Sequence, residues 1–276
     1  MTWHAHLSLQ YTHERHRSVA RFRHEGPLRI LQSLYPEGDA VCHNVLVHPP
    51  GGLVGGDAMD IHISVGSHAH GLITTPGATR YYRTEHDTAT NTVHARLEEG
   101  ARLEWLPLES LAYPGCNALN HLSFELAPTA ELMAWDVTAL GLEHAHAPFT
   151  TGRFLQHMEI PGVWLERGLI DAEDQRLLNS PLALAGQRCM ATFVFASGSA
   201  IAGPRADAAL EAARMRIEES PLRHQAGVTL AGPRVMVMRV LAPMVEPAMQ
   251  LLRPVWATWR QSLWGLSGQV PRLWNL

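Results

Sequence analysis

The sequence predicts a mainly β protein that closes with two α-helices, and three observations carry that prediction. Short apolar segments, several with two-residue alternation, recur roughly every ten to fifteen residues through the middle of the chain. Gly or Pro punctuates most of the gaps, with no helical segment between them. Strong helix formers at helical spacing gather only after residue 200. Strands that follow one another in this way build a sandwich, a barrel or a stacked β-solenoid. No fixed-period repeat selects among the three.

The elements follow in order. Residues 60–65 (DIHISV) place Ile61, Ile63 and Val65 on one face and His62 and Ser64 on the other. Segments 70–75, 90–97, 102–106, 119–126, 132–140, 154–160 and 163–170 are similar strands, parted by turns such as Gly66, Pro76-Gly77, Gly100, Pro128 and Pro161-Gly162. Residues 207–219 (DAALEAARMRIEE) form the first expected helix, with Leu210, Ala213, Arg214 and Ile217 on one face. Pro204 precedes it and Ser220-Pro221 ends it. Residues 235–240 (VMVMRV) read as a last buried strand. Met249, Leu252, Val255, Trp256, Trp259 and Leu263 then mark a second helix, which Pro254 is expected to kink or delay and Gly265 to close. No linker interrupts 1–276, so one domain is expected.

Composition narrows the function. The 276 residues are 46 % hydrophobic and 17 % charged, a globular balance with a sizeable core. Net charge is −4 and Lys is absent, so nothing suggests a basic patch for nucleic acid. Cys42, Cys116 and Cys189 are too few and too scattered for a disulfide framework or a zinc knuckle. No apolar run reaches the roughly 18 residues of a membrane span, and the first residues lack a signal-peptide core. A cytoplasmic protein is expected.

The Gly-rich stretch 51–57 lacks the Gly-Lys-Ser/Thr of a phosphate loop and precedes a strand, so its glycines serve close packing. Pro76-Gly77 suits a type II turn. Tyr81, Tyr82 and Arg83 after it suit either a partner interface or an ordinary half-buried strand. Among seventeen His, three pairs sit two residues apart: His4/His6, His68/His70 and His144/His146. In a strand this spacing puts both rings on one face, where Ni²⁺ or Zn²⁺ could bind. Glu143 adds a carboxylate to the last pair. Asp57, Asp136 and Glu166 each stand in apolar or Gly-rich surroundings. A carboxylate there is held in a buried ion pair or capped turn, or it lines a hydrated polar path. No nucleophile triad, H-E-x-x-H or paired-Cys motif is present, which speaks against a hydrolase.

Five stretches in order resemble one family. HPPGGLVGGD (48–57), TTPGATRYYRT (74–84), LEWLP (103–107), WDVTALG (135–141) and the closing PRLW (271–274) are similar to the signatures of the UreD (UreH) urease accessory proteins. Leu108 departs from the usual Gln, and Arg80 from a frequent Lys. The resemblance implies a stacked, β-helix-like body with two helices and no catalytic activity. It implies direct binding to UreF, to UreG through UreF, and docking of a complex, dimeric in arrangement, on apo-urease. It also implies no tightly bound cofactor. Ni²⁺ would pass transiently along an internal path, for which Asp57, Thr79, Asp136 and Glu166 are the candidate lining.

Overall fold

The computed structural model describes residues 2–85 and 87–275, apart from the side chains of His144 and Asn275. Strands β1 (His4–Glu14) and β2 (Arg17–Glu25) pair as a hairpin, as do β3 (Arg29–Leu34) and β4 (Cys42–Val47). The chain then winds in repeated turns. After β5 (Gly52–Leu53) one turn runs β6 (Ala58–Val65), β7 (His70–Thr74), β8 (Thr79–Tyr81). The next runs β9 (Ala89–Leu97), β10 (Arg102–Trp105), β11 (Ser110–Ala112), and it leads into β12 (Asn117–Leu126) and the long β13 (Glu131–Leu142). The remainder comprises β14 (Ala147–Pro148), β15 (Arg153–Ile160), β16 (Trp164–Asp171), α1 (Gln175–Asn179), β17 (Cys189–Ser197), α2 (Gly203–Glu218), β18 (Ala226–Gly232), β19 (Val235–Ala242) and α3 (Val245–Trp259).

Strands β1, β6, β9, β12 and β15 stack in parallel as one sheet, and β4, β7, β10 and β13 stack in parallel as a second. The short strands β5, β8 and β11 pair in parallel with one another and with the end of β13. The result is a β-solenoid of about four turns. Antiparallel strands border both sheets: β2 and β16 on the first, β3 and the series β17, β19, β18 on the second. The stacked-body expectation therefore holds. No fixed period is visible in the sequence because β6, β9, β12 and β15 begin at 58, 89, 117 and 153, so successive turns differ in length. The expected strands start at residue 60, whereas the sheets begin at His4, where Ala5, Leu7, Leu9 and Tyr11 point inward.

Two apolar cores result. One fills the space between the sheets, from Leu7, Ile61 and Val93 to Phe124, Phe154 and Leu132. The other lies between the second sheet and the helices, around Trp135, Phe193, Trp256 and Trp259. Helix α2 starts before residue 207 because Pro204 sits in its first turn. Leu210, Ala213 and Ile217 are buried as expected, while Arg214 is exposed. Helix α3 starts upstream at Val245 and carries Pro254 in its interior, with no delay of its start. A wider π-helical turn over Arg260–Trp264 follows, and Gly265 at φ 66° stops it. The five-residue α1, capped by Asp174 accepting from the Leu177 N–H, is an addition to the two expected helices.

Indole N–H groups fasten the helical layer. Trp256 donates to Glu104 at 2.6 Å, Trp264 to Glu131 at 2.7 Å and Trp259 to the Ala209 carbonyl at 3.1 Å. Glu104, fully buried, also accepts from His70 at 2.8 Å and meets Arg260 Nε at 3.2 Å. Arg260 reaches on to Glu37, which His43 approaches at 2.7 Å. Burial pushes the Glu104 carboxyl up, but His70, Arg260 and the Trp256 N–H together hold it below its ordinary value. A buried charge network of this kind needs each partner in place.

Candidate functional site

A cavity of about 200 Å³ opens between the sheets beneath the segment 75–80. Its walls come from four of the five signature stretches: His48 and Gly51, Thr75 to Arg80, Trp105 and Pro107, and Asp136. The fifth stretch packs in the core on the helical side of the second sheet. Trp274 donates to Thr74 Oγ1 at 2.8 Å and packs against Trp135 at 5.1 Å between centroids, while Trp135 donates to the Pro107 carbonyl at 2.6 Å. Glycines permit this crowding. A Cβ on Gly52 would collide with the Tyr82 ring and the Arg80 carbonyl, and one on Gly55 with Thr84 and Asp87. Gly77 does not adopt the left-handed φ of a type II turn. Instead Thr75 Oγ1 donates to the Gly77 carbonyl and accepts from the Leu108 N–H, which holds the bend open at the cavity mouth.

Strand alternation sets polar groups into the floor. Asn91 in β9, Asn120 in β12 and Gln156 in β15 occupy inward positions and lie side by side in register. Asn91 Nδ2 donates to Asn120 Oδ1 at 2.8 Å. Facing this amide row, the second sheet carries Asp136, Thr192 and Arg239 as consecutive register partners. Asn120 Nδ2 and Gln156 Nε2 both donate to Asp136 Oδ2, at 3.1 and 2.9 Å. Both bonds fall on one oxygen, which leaves Oδ1 for a proton or a cation. Burial pushes the Asp136 carboxyl up to about 7, against the two amide bonds and with help from the charge of Glu166. Beyond Asp136, Thr192 Oγ1 donates to Glu166 at 3.2 Å, and Glu166 meets Arg239 at 2.9 Å on the surface side. Asn91 Oδ1, Tyr81 Oη and Trp105 Nε1 are buried and make no protein hydrogen bond, so the interior is suited to water or to a hydrated ion.

The sequence-derived candidates divide. Thr79 and Asp136 line the cavity, and Glu166 stands at the far end of the polar row. Asp57 stands apart from the lining. It caps its own turn, accepting from the N–H groups of Trp3 at 3.1 Å and Val54 at 2.9 Å. Tyr81 is fully buried, so of the expected interface residues only Tyr82 and Arg83 reach the surface. Tyr82 leans on Tyr113. The three His pairs fall in different settings. His68 takes a left-handed turn at φ 62° before β7, so it does not share a face with the buried His70. His6 and His4 share the outward face of β1, and His6 Nδ1 lies 3.4 Å from Asp60 Oδ2. His146 is exposed beyond a short 3₁₀ turn, and the side chain of His144 lies outside the described residues. Asn91, Asn120, Gln156 and Thr192 are additions. Their one sequence signal is a polar residue at an inward position of an alternating strand.

The interior of the solenoid thus carries a buried carboxylate, amides and a hydroxyl in one connected row. The likeness to known proteins runs over the whole length of the chain. A family profile described as UreD urease accessory protein matches residues 4–275. The chain is 64 % identical over 276 residues to the urease accessory protein UreD of Albidiferax ferrireducens, covering 100 % of both. It is 60 % identical to that of Variovorax paradoxus, over 99 % of each chain, and 49 % identical to that of Methylibium petroleiphilum, over 94 % of this chain and 92 % of the relative. The chain belongs to the UreD family of urease accessory proteins. Among the described residues no helix is long and apolar enough to cross a membrane.

Proposed function

We propose that this protein is a non-catalytic maturation factor that binds UreF, recruits UreG through it, and passes Ni²⁺ through its own interior toward apo-urease in the cytoplasm. The observation that supports the passage best is Asp136. It is buried at the meeting point of the signature stretches and has one oxygen committed to amides and one open to the cavity. Nickel is the cargo here, not a resident cofactor. A cation arriving at Thr79 would meet hydroxyl and amide oxygens first, then a carboxyl that loses its proton as the charge approaches. Thr192 and Glu166 follow as the exit. Oxygen donors spaced along a channel hold a divalent ion weakly enough to release it. A closed thiolate or imidazole cage would retain it.

The reading is tested by co-expressing the chain with UreF, UreG and the urease structural subunits and isolating the assembly through a tag on UreF. The chain is expected in the assembly, in a dimeric arrangement. If it never co-purifies with UreF and its deletion leaves urease activity unchanged, the reading is wrong.

A further inference from the structure

The outer face of the first sheet carries a row of imidazoles that the passage does not use. His6, His62, His94, His121 and His157 follow one another across five strands, with ring centroids 5.3, 5.5, 5.5 and 4.3 Å apart. The row follows from alternation and register. Ile61, Ile63, Val93, Leu122 and Met158 point inward, so the intervening histidines point out, and the parallel register sets His62 beside His94 and His121 beside His157.

At the β12–β15 end the row closes on a carboxylate. His157 Nε2 lies 3.2 Å from Glu159 Oε2, and His121 Nε2 lies 3.7 Å from Glu159 Oε1. One ligand atom from each residue fits within 4.8 Å of the others. Both Nε2 atoms are shielded from solvent, and neither makes a well-aligned hydrogen bond. Ser123 Oγ donates to Glu159 Oε1 at 3.2 Å, the outer support that a ligating carboxylate needs. A metal with bonds of about 2.1 Å holds neighbouring donors about 3 Å apart, so side-chain adjustments of under an ångström or so complete the shell. The side chains are 25, 19 and 31 % exposed for His121, His157 and Glu159, so the triad sits at the sheet surface with its two Nε2 atoms covered.

We propose that His121, His157 and Glu159 form a surface site for one borderline divalent transition-metal ion of the Ni²⁺ or Zn²⁺ class. Two imidazoles and one carboxylate select such ions over Mg²⁺ and Ca²⁺, which demand oxygen. Three ligands on an open strand face leave coordination positions to water, so the ion exchanges. The site is separate from the internal passage and does not depend on it. At the other end of the row His6, His62 and Asp60 make a more exposed group, with Asp60 49 % exposed, and serve as the comparison.

The test uses the full-length chain. Equilibrium dialysis against NiCl₂ and against ZnCl₂, with MgCl₂ in excess, measures stoichiometry and affinity for wild type, His157→Gln, Glu159→Gln, His62→Gln and Asp136→Asn. His157→Gln is expected to remove one bound equivalent or weaken it by about 10-fold or more, Glu159→Gln to weaken it, and the other two to leave that equivalent in place. Metal-soaked crystals of the wild type give an answer independent of any variant's folding. An anomalous peak between His121 and His157 is expected. Wild-type binding by His157→Gln, or peaks in the soaked crystals at other positions only, overturns the site.

Discussion

Asp136→Asn separates the charge of the buried carboxyl from its shape. Asn keeps an oxygen where Asp136 Oδ2 accepts from both Asn120 and Gln156, and it places an NH₂ toward the cavity, where the proton of the neutral acid would sit. The carboxyl is raised from 3.8 to about 7 by burial. Between those values the folded protein holds more protons than the unfolded chain, so stability falls as pH rises through the window and levels off above it. At about 1.4 kcal/mol per pH unit, the shift amounts to about 4 kcal/mol at full ionisation, and hydration of the cavity reduces this. The variant has no such term. Denaturant unfolding of both proteins from pH 5 to pH 8.5 is the assay, and only the difference between them is read, so other titrating groups cancel. Near pH 5 the variant is expected to be ahead by about 1–2 kcal/mol at most, because the unfolded carboxyl is already ionised there. Above pH 7.5 the variant is expected to be more stable by about 2–4 kcal/mol. A difference that stays flat with pH would mean that Asp136 is ionised throughout, and the account of its burial would be wrong.

Three further outcomes follow from the same geometry. Glu166→Gln removes a charge that helps raise Asp136, so the pH window of that stability difference should move down; no movement in the same unfolding series refutes the coupling. Arg260→Met strands the buried Glu104 and Glu37 carboxylates and should cost about 3–5 kcal/mol in denaturant unfolding at pH 7, whereas a change below about 1 kcal/mol would show that the network is dispensable. Gly52→Ala drives a methyl into the Tyr82 ring and the Arg80 carbonyl and should cost about 1–3 kcal/mol in thermal unfolding, while Gly77→Ala, with open space around it, should change little.

Much of the body is legible in the sequence because alternation is a local signal. The inward run Ala89, Asn91, Val93, Ala95, Leu97 can be read from β9 alone, and the buried face of α3 from its helical spacing. The solenoid is not legible this way. Its turns differ in length, so no period appears, and only likeness to a family separates it from a sandwich or a barrel. The same limit hides both polar rows. Asn91, Asn120 and Gln156 become neighbours only through parallel register across strands far apart in sequence, and so do His94, His121 and His157. A search for His two residues apart finds partners within one strand and misses a ladder that crosses strands. Asp136 was readable as a carboxylate in an apolar run. Asp57 looked the same in its Gly-rich loop, but the donors that satisfy it are backbone N–H groups of its own turn and of residue 3. Pro254 shows the opposite case, a local helix breaker overridden by the packing of Leu252, Val255 and Trp256 against the second sheet.

The most direct test of the passage is the nickel content of urease matured in cells that supply this chain as wild type or as Asp136→Asn, measured by atomic absorption alongside recovery of the assembly with UreF and UreG. The passage predicts an intact assembly and urease with a several-fold lower nickel content in the variant. Full nickel loading with Asp136→Asn in place would show that the ion does not travel past Asp136.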